Sequence, residues 1–263
     1  MKPPAEPTYL RFADNRIGLR RFRWPTGDAP RIVCLPYAGG QSLAFRGLAE
    51  HLPKEWGVWA IDPPGHGWAG GAPLAQVEAM ADAYLGHLPL EVFSGAVLLG
   101  HSLGGCVAFA LAERLIQLRR APRALVLSAT RPPHRAAEYD SFLTLDDQGL
   151  LDVLIQLGGV PADWAAEPEL FAQFRDVVRA DFQAFESFRL DGRRVDLPVL
   201  AVGAPEDVVC RPAHVFEWTR FCPSCEIEFV GGGHLFVQTQ PELFAQRVAS
   251  FIRRLPPLPG GLS

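Results

Sequence analysis

Ala96-Val97-Leu98-Leu99-Gly100-His101-Ser102-Leu103-Gly104-Gly105-Cys106-Val107-Ala108 is the stretch on which the fold turns. A short apolar run leads into Gly-His-Ser-Leu-Gly, and an Ala/Leu-rich segment follows. That order predicts strand, tight turn and helix, with a serine at the apex. A serine there is lifted out of the backbone, its hydroxyl exposed at the rim of a sheet. Gly100 and Gly104 leave room for the cramped turn, where larger side chains would collide. A Gly-x-Ser-x-Gly pattern arises by chance in roughly one chain in ten of this length. The weight therefore falls on the flanking strand and helix patterns and on the partners found elsewhere in the chain.

Working outward, strand signals at Tyr9–Phe12 and Leu19–Trp24 alternate as an antiparallel edge would, with Asp14-Asn15 suited to the turn between them. Arg31–Leu35 is a compact apolar run ending at Pro36 and reads as a buried parallel strand. Ser42–Leu52 is expected to be a helix with Ser42 as its cap. Val58–Asp62 is a strand, Ala75–Leu88 a helix, Gly95–Gly100 the strand feeding Ser102, Val107–Arg119 a helix, and Ala124–Ser128 a strand. This alternation signals a mainly parallel sheet with helices on both faces.

The alternation stops between Arg131 and Arg189. That block carries helical patterns instead, at Asp147–Leu157 and Pro168–Phe188. It is rich in apolar residues, Phe142 and Leu154 among them. A block this apolar must pack on something, and the strand ends, where ligands bind in such sheets, are the expected place. Alternation resumes with a strand at Leu197–Gly203, a helix near Pro212–Phe221, a strand ending at Val230 and a last helix over Pro241–Leu255. The expected organisation is a core of residues 1–130 and 190–255, a helical lid insertion over 131–189, and a frayed tail over 256–263.

Composition narrows the class. The chain has 263 residues, 48% hydrophobic and 21% charged, which suffices for a substantial core. Its net charge of −4 and lack of a long basic run point away from nucleic acid. Four arginines between Arg16 and Arg23 interleave with apolar residues and read as a solvated strand face. No run of about 18 apolar residues suggests a membrane span, and the amino terminus lacks the apolar core of a secretory signal. The cytoplasm is the expected location. Five cysteines make no disulfide framework. Cys34 and Cys106 read as small core residues, and Cys222-Pro223-Ser224-Cys225 as chance spacing, since no second pair completes a zinc site. No clustered spacing supports a metal, and no cofactor is expected.

A serine hydroxyl is a weak nucleophile near neutral pH and needs a base, itself oriented by a third group. In the α/β-hydrolase architecture these follow in the order serine, acid, histidine. Asp207, just past the apolar strand ending at Gly203, is the candidate acid, with Glu206 and Asp62 as rivals. His234 follows Gly231-Gly232-Gly233 after the last strand and is the candidate base, its ordinary pKa of about 6.5 suiting proton exchange near neutrality. His101 adjoins the serine but should project away from it. His66 could line the mouth of the site. His51, His87, His134 and His214 have no organised neighbours in sequence. A tetrahedral oxyanion would need two donors: the N–H of Leu103, and one from Pro36-Tyr37-Ala38-Gly39-Gly40. Ala38 is the choice there and Tyr37 its rival. Tyr37, His66, Phe142 and Leu154 are the candidate substrate-binding residues.

Together, Pro36-Tyr37-Ala38-Gly39-Gly40, the turn at Ser102, Asp207 and Gly231-Gly232-Gly233-His234 resemble the type II thioesterases, stand-alone editing hydrolases of polyketide and nonribosomal peptide assembly lines. Leu157-Gly158-Gly159-Val160-Pro161 and Arg179-Ala180-Asp181-Phe182 are similar to their lid helices. The resemblance runs from about Arg31 to Leu255. It implies hydrolysis of acyl thioesters on the phosphopantetheine arm of a carrier protein, with Ser102, His234 and Asp207 as the triad; a monomer is expected. One departure is Gly65-His66-Gly67, where relatives often carry an arginine. The alternatives are an esterase or lipase using the same residues on an oxygen ester, and a binding protein with a relic pocket.

Overall fold

Two antiparallel strands open the chain, β1 (Thr8–Phe12) and β2 (Ile17–Arg23). Ala13, Asp14 and Asn15 turn between them at positive φ, where short polar side chains are best tolerated. A computed structural model describes residues 8–133, 141–161, 163 and 168–256. His134, the tail beyond residue 256 and parts of the expected lid lie outside the described residues.

Strand and helix then alternate: β3 (Arg31–Leu35), α1 (Arg46–His51), β4 (Gly57–Asp62), α2 (Val77–His87), β5 (Val97–His101), α3 (Leu103–Gln117) and β6 (Ala124–Ser128). Three helices follow, α4 (Asp147–Gln156), α5 (Pro168–Ala172) and α6 (Arg175–Ser187). The chain closes with β7 (Val199–Gly203), α7 (Pro212–Phe216), β8 (Cys225–Phe229), α8 (Phe236–Thr239) and α9 (Pro241–Arg254). The described strands form one sheet in the order β1-β2-β4-β3-β5-β6-β7-β8, parallel from β4 to β8. This is the α/β-hydrolase layout that the order of candidate residues implied.

Alternation along each strand sends side chains to opposite faces. Val33, Leu98, Leu125 and Leu127 enter the core under α2 and α3. Ile32, Cys34, Val97, Leu99 and Val126 enter the core under α1 and α9. Both faces are covered, as a parallel sheet requires. A third apolar cluster joins α4, α5 and α6 through Leu150, Leu154, Phe171, Val178 and Phe182, and packs against Ala38. Ala184 and Phe185 of α6, with Phe188 just past its end, belong to the main core, so α6 ties the helical block to the sheet.

Several local readings are corrected. Helix α3 starts directly after Ser102, not at Val107, because its small residues let it press against the sheet. The expected helix over 42–52 begins as a 3-10 turn over Ser42–Phe45. Ser42 is not its cap. Its N–H donates to Asp62 Oδ1 and its hydroxyl accepts from Arg20 Nε. The helix expected over 168–188 is two, α5 and α6. Helix α8 is too short to show a periodic pattern in the sequence. The arginines near the start are not a solvated face beyond Arg16. Arg21 stacks on Trp24 and Trp59. Arg23 donates to the carbonyls of Ala49, Trp56 and Pro53.

Cys34 and Cys106 are buried core residues, and burial raises both thiols. Cys222 and Cys225 carry unpaired thiols, and burial pushes Cys225 up to about 11. Among the described residues no helix is long and apolar enough to cross a membrane.

Candidate active site

Ser102 occupies the single residue between β5 and α3, with φ 54° and ψ −119°. Few L-residues tolerate that conformation, so it persists only because its surroundings impose it. The Ser102 N–H donates to Ser128 O at 2.8 Å, and its carbonyl accepts from Gly105 N–H at 2.9 Å. The Thr130 hydroxyl lies 3.0 Å from the same carbonyl. The strand-to-helix reversal brings backbones into near contact: a Cβ on Gly100 would sit 2.0 Å from Gly104 O. The result is a hydroxyl aimed off the edge of the sheet.

Two later strands deliver its partners. Asp207 follows β7, and its Oδ1 accepts from the N–H groups of Val209 and Cys210, both at 2.8 Å. That leaves Oδ2 to face His234 Nδ1 at 2.9 Å. His234 Nε2 lies 3.0 Å from Ser102 Oγ. A carboxylate accepts only, so Nδ1 carries the ring hydrogen and Nε2 accepts from the serine hydroxyl. All three residues are buried, which strengthens each interaction. The Glu206 N–H donates to Gly232 O and clamps the two loops together. Glu206 itself is exposed. Asp62, the other rival acid, accepts from Tyr9 and Ser42.

Replacing Asp207 by Asn would turn an acceptor into a donor opposite Nδ1 and favour the wrong tautomer of His234. Turnover is expected to fall about ten-thousandfold while the melting temperature changes little. Steady-state kinetics with a thermal melt checks this.

Leu103 and Ala38 flank the serine on the cavity wall. Leu103 N–H opens α3, where no intrahelical acceptor exists. Among the described residues no protein group takes the N–H of Leu103 or of Ala38. Above them lies a partly open cavity. Phe142, Leu154, Val178, Phe182 and Phe185 of the helical block form its apolar wall. Phe142 and Phe182 stack at 4.4 Å between centroids. Tyr37 also lines it, its hydroxyl accepting from Gln238 Nε2. Burial raises that phenol to about 12.

His66 is the site residue the structure places elsewhere. It does not line the cavity but is buried, with Nε2 2.8 Å from Asp181 Oδ2. A carboxylate on a helix 115 residues later draws it inward, which no local signal announces. His101 does point away from Ser102. Its Nδ1 faces Ser128 Oγ at 2.8 Å and its Nε2 faces His234 O at 2.9 Å. It thus holds the backbone of His234. Burial pushes its pKa well down and the neighbouring His234 adds to that, so it supports the site as a neutral ring. Its place beside the serine, on the opposite side of β5, was the available signal. His214 is buried and engaged on α7, not peripheral. His51 and His87 sit at the ends of α1 and α2. Among the described residues no cluster of three potential metal ligands occurs.

Residues 30–254 match the family model described as "Thioesterase domain". The chain is 32% identical over 238 residues to AMB antimetabolite synthetase AmbE of Pseudomonas aeruginosa. That match covers 88% of this chain and only 11% of the synthetase. It is 29% identical over 234 residues to thioesterase PikA5 of Streptomyces venezuelae, covering 86% and 82% of the two chains. Among solved structures it resembles the type II thioesterase BorB from the borrelidin biosynthetic cluster, with TM-score 0.78 and 25% identity, over 89% of this chain and 97% of that one.

Proposed function

Because this chain belongs to the thioesterase domain family, we propose that it is a serine hydrolase cleaving acyl thioesters from the phosphopantetheine arm of carrier proteins, as an editing enzyme of a polyketide or nonribosomal peptide assembly line. The observation that carries this is the unbroken hydrogen-bonded chain from Asp207 through His234 to Ser102 at the floor of an apolar cavity. A binding protein with a relic pocket has no use for a serine held in a strained backbone and aligned with a base.

The mechanism follows from the geometry. Ser102 Oγ attacks the thioester carbonyl carbon while His234 Nε2 takes its proton. The imidazolium that forms is stabilised by Asp207, which already accepts from Nδ1. The N–H groups of Leu103 and Ala38 hold the oxyanion. As the C–S bond breaks, His234 returns the proton to the pantetheine sulfur. Water then attacks the acyl-serine, giving its proton to His234, and Ser102 regains a hydrogen as the free acid leaves. No metal or cofactor is needed at any step.

The helical block between β6 and β7 serves as the lid in this reading, and its phenylalanines receive the acyl chain. A second, polar groove lined by Gly40, Gln41 and Gln238 adjoins the cavity at Tyr37, Gly39 and Gly159. It is suited to a pantetheine arm, whose two amides can bond glutamine side chains and glycine backbone. The same reading has the protein work as a cytoplasmic monomer that meets its carrier transiently.

An oxygen-ester hydrolase would use the same three residues without the groove. Two amide contacts of about 1 kcal/mol each amount to about thirtyfold in kcat/KM. A carrier-bound thioester is therefore expected to exceed the nitrophenyl ester of the same acyl group by about that factor. Equal or reversed preference would favour the esterase.

A further inference from the structure

Behind the loop that carries Ala38 lies a buried ion pair that the reaction above does not use. Asp181 of α6 is 1% exposed and His66, on the loop after β4, is 3% exposed. Asp181 Oδ2 accepts from the Gly39 N–H at 2.7 Å and from His66 Nε2 at 2.8 Å. On the other side of the ring, His66 Nδ1 lies 3.0 Å from Pro64 O. Both ring nitrogens face oxygens that can only accept. A neutral imidazole has one N–H and would leave one of these contacts repulsive, so the geometry calls for the imidazolium. Burial opposes that charge, but the Asp181 carboxylate and the Pro64 carbonyl outweigh it and hold the His66 pKa above its ordinary value.

The carboxylate depends on this arrangement in turn. Its Oδ1 is buried and has no hydrogen-bond partner among the described residues. Its charge is balanced through Oδ2 alone, by one histidine and one backbone N–H. That N–H belongs to Gly39, at φ +73°, and Val178 of α6 lies 3.1 Å from where a Cβ on Gly39 would stand. Helix α6 thus meets the loop at two points, an apolar contact and a hydrogen bond to its carboxylate. The Gly39 nitrogen shares its peptide with the Ala38 carbonyl, one residue's rotation away from the Ala38 N–H.

We propose that Asp181 and protonated His66 are positioning residues for the oxyanion-binding loop, and that through them the seating of α6 over the acyl cavity aims the Ala38 N–H. When α6 is seated, Gly39 has its acceptor and the donor next to it is fixed. When α6 lifts, the acceptor leaves with it and the loop loses its aim. Acyl transfer is thereby restricted to the covered cavity.

The device has a pH signature. The titratable groups facing the pair are Asp62 at the end of β4 and Tyr84 of α2. Asp62 is itself engaged by the Tyr9 hydroxyl of β1 and the Ser42 N–H. A histidine whose folded pKa is raised contributes below its unfolded value of about 6.5 and ceases to contribute as pH rises through the folded value. Turnover of the wild type should therefore fall on the basic side of its profile.

The inference rests on the proposed role of Ala38, and kinetics with an acyl-N-acetylcysteamine thioester from about pH 6 to about pH 10 separates the two. If the wild type does not hydrolyse the thioester, the proposed function fails. Given an active wild type, Asp181→Asn is expected to lower kcat by about ten- to a hundredfold with KM nearly unchanged, because a misaimed donor is felt in the transition state. His66→Gln, neutral at every pH, is expected to start near the wild type's reduced high-pH rate and to lack the basic limb. A general loss of packing would lower activity without removing that limb. Wild-type kcat in Asp181→Asn, or an unchanged basic limb in His66→Gln, overturns the proposal. Should Asp181→Asn fail to fold by circular dichroism, the limb in His66→Gln decides alone.

Discussion

Ser102→Ala is expected to leave carrier-bound acyl groups in place, with turnover reduced on the order of a millionfold. The substitution removes one oxygen, whose protein partner is His234 Nε2. Every other interaction around the residue is made by backbone and survives: the N–H to Ser128 O and the carbonyl from Gly105 and Thr130. The strained φ is unchanged, so stability should stay within about 0.5 kcal/mol of wild type. What rate remains reflects the oxyanion donors and binding alone, about 10³–10⁴ over water. Mass spectrometry of a panel of acyl-carrier proteins, incubated with wild type and variant, reads the result directly. Masses that shift equally with both proteins would remove Ser102 from the chemistry.

Gly104→Ala is expected to damage fold and rate together. A Cβ at 104 would stand 2.1 Å from Leu35 O and 2.6 Å from Pro36 O. Both obstacles are backbone, so no rotamer change relieves them, and either α3 or the end of β3 must move by about 1 Å. Overpacking of this kind costs about 3 kcal/mol or more. For a chain of this size that lowers the melting temperature by about 6–12 °C. The displaced parts carry both candidate oxyanion donors, since Leu103 precedes the substitution and Ala38 follows Pro36. A shift of about 1 Å there is expected to lower kcat about a hundredfold in whatever fraction folds. A melt and a turnover assay both matching wild type would show that the close approach at 104 is not needed.

The two variants probe parts of the molecule that differ in how far they could be read from the chain. The strand, turn and helix around Ser102 depend on residues within a dozen positions of each other. An apolar run, two glycines at fixed offsets and a string of alanines carry that information locally. Asp207 and His234 were also legible, since each follows an apolar strand and their chain order suits only a few architectures. Ala38 is preferred to Tyr37 from the glycines that follow it, but the direction of each N–H depends on backbone torsions in one loop, which no residue pattern sets.

The partners of His66, Asp181 and His101 are not legible in the sequence for a different reason. His66 meets Asp181 across 115 residues, and His101 meets the His234 carbonyl across 133. A histidine in a Gly-His-Gly loop looks equally suited to solvent, a mouth or a core. Its charge state follows from two acceptors, one of which arrives on a helix of the inserted block. Ser42 has the residue type of a cap, yet its hydroxyl accepts from Arg20 Nε, on a strand distant in sequence, instead of from a helix N–H.

The chain alone determined that an alternating α/β sheet would form and that a serine, an acid and a histidine would stand beyond its strand ends, because periodicity and turn chemistry act over short stretches. Only the tertiary structure decided which buried polar groups meet, that His66 pairs with Asp181 behind the loop that carries Ala38 rather than lining the mouth, and that His101 holds the backbone of His234. Those outcomes depend on the relative placement of elements distant in sequence, and a buried polar group takes the partner that the packing of such elements leaves within its reach.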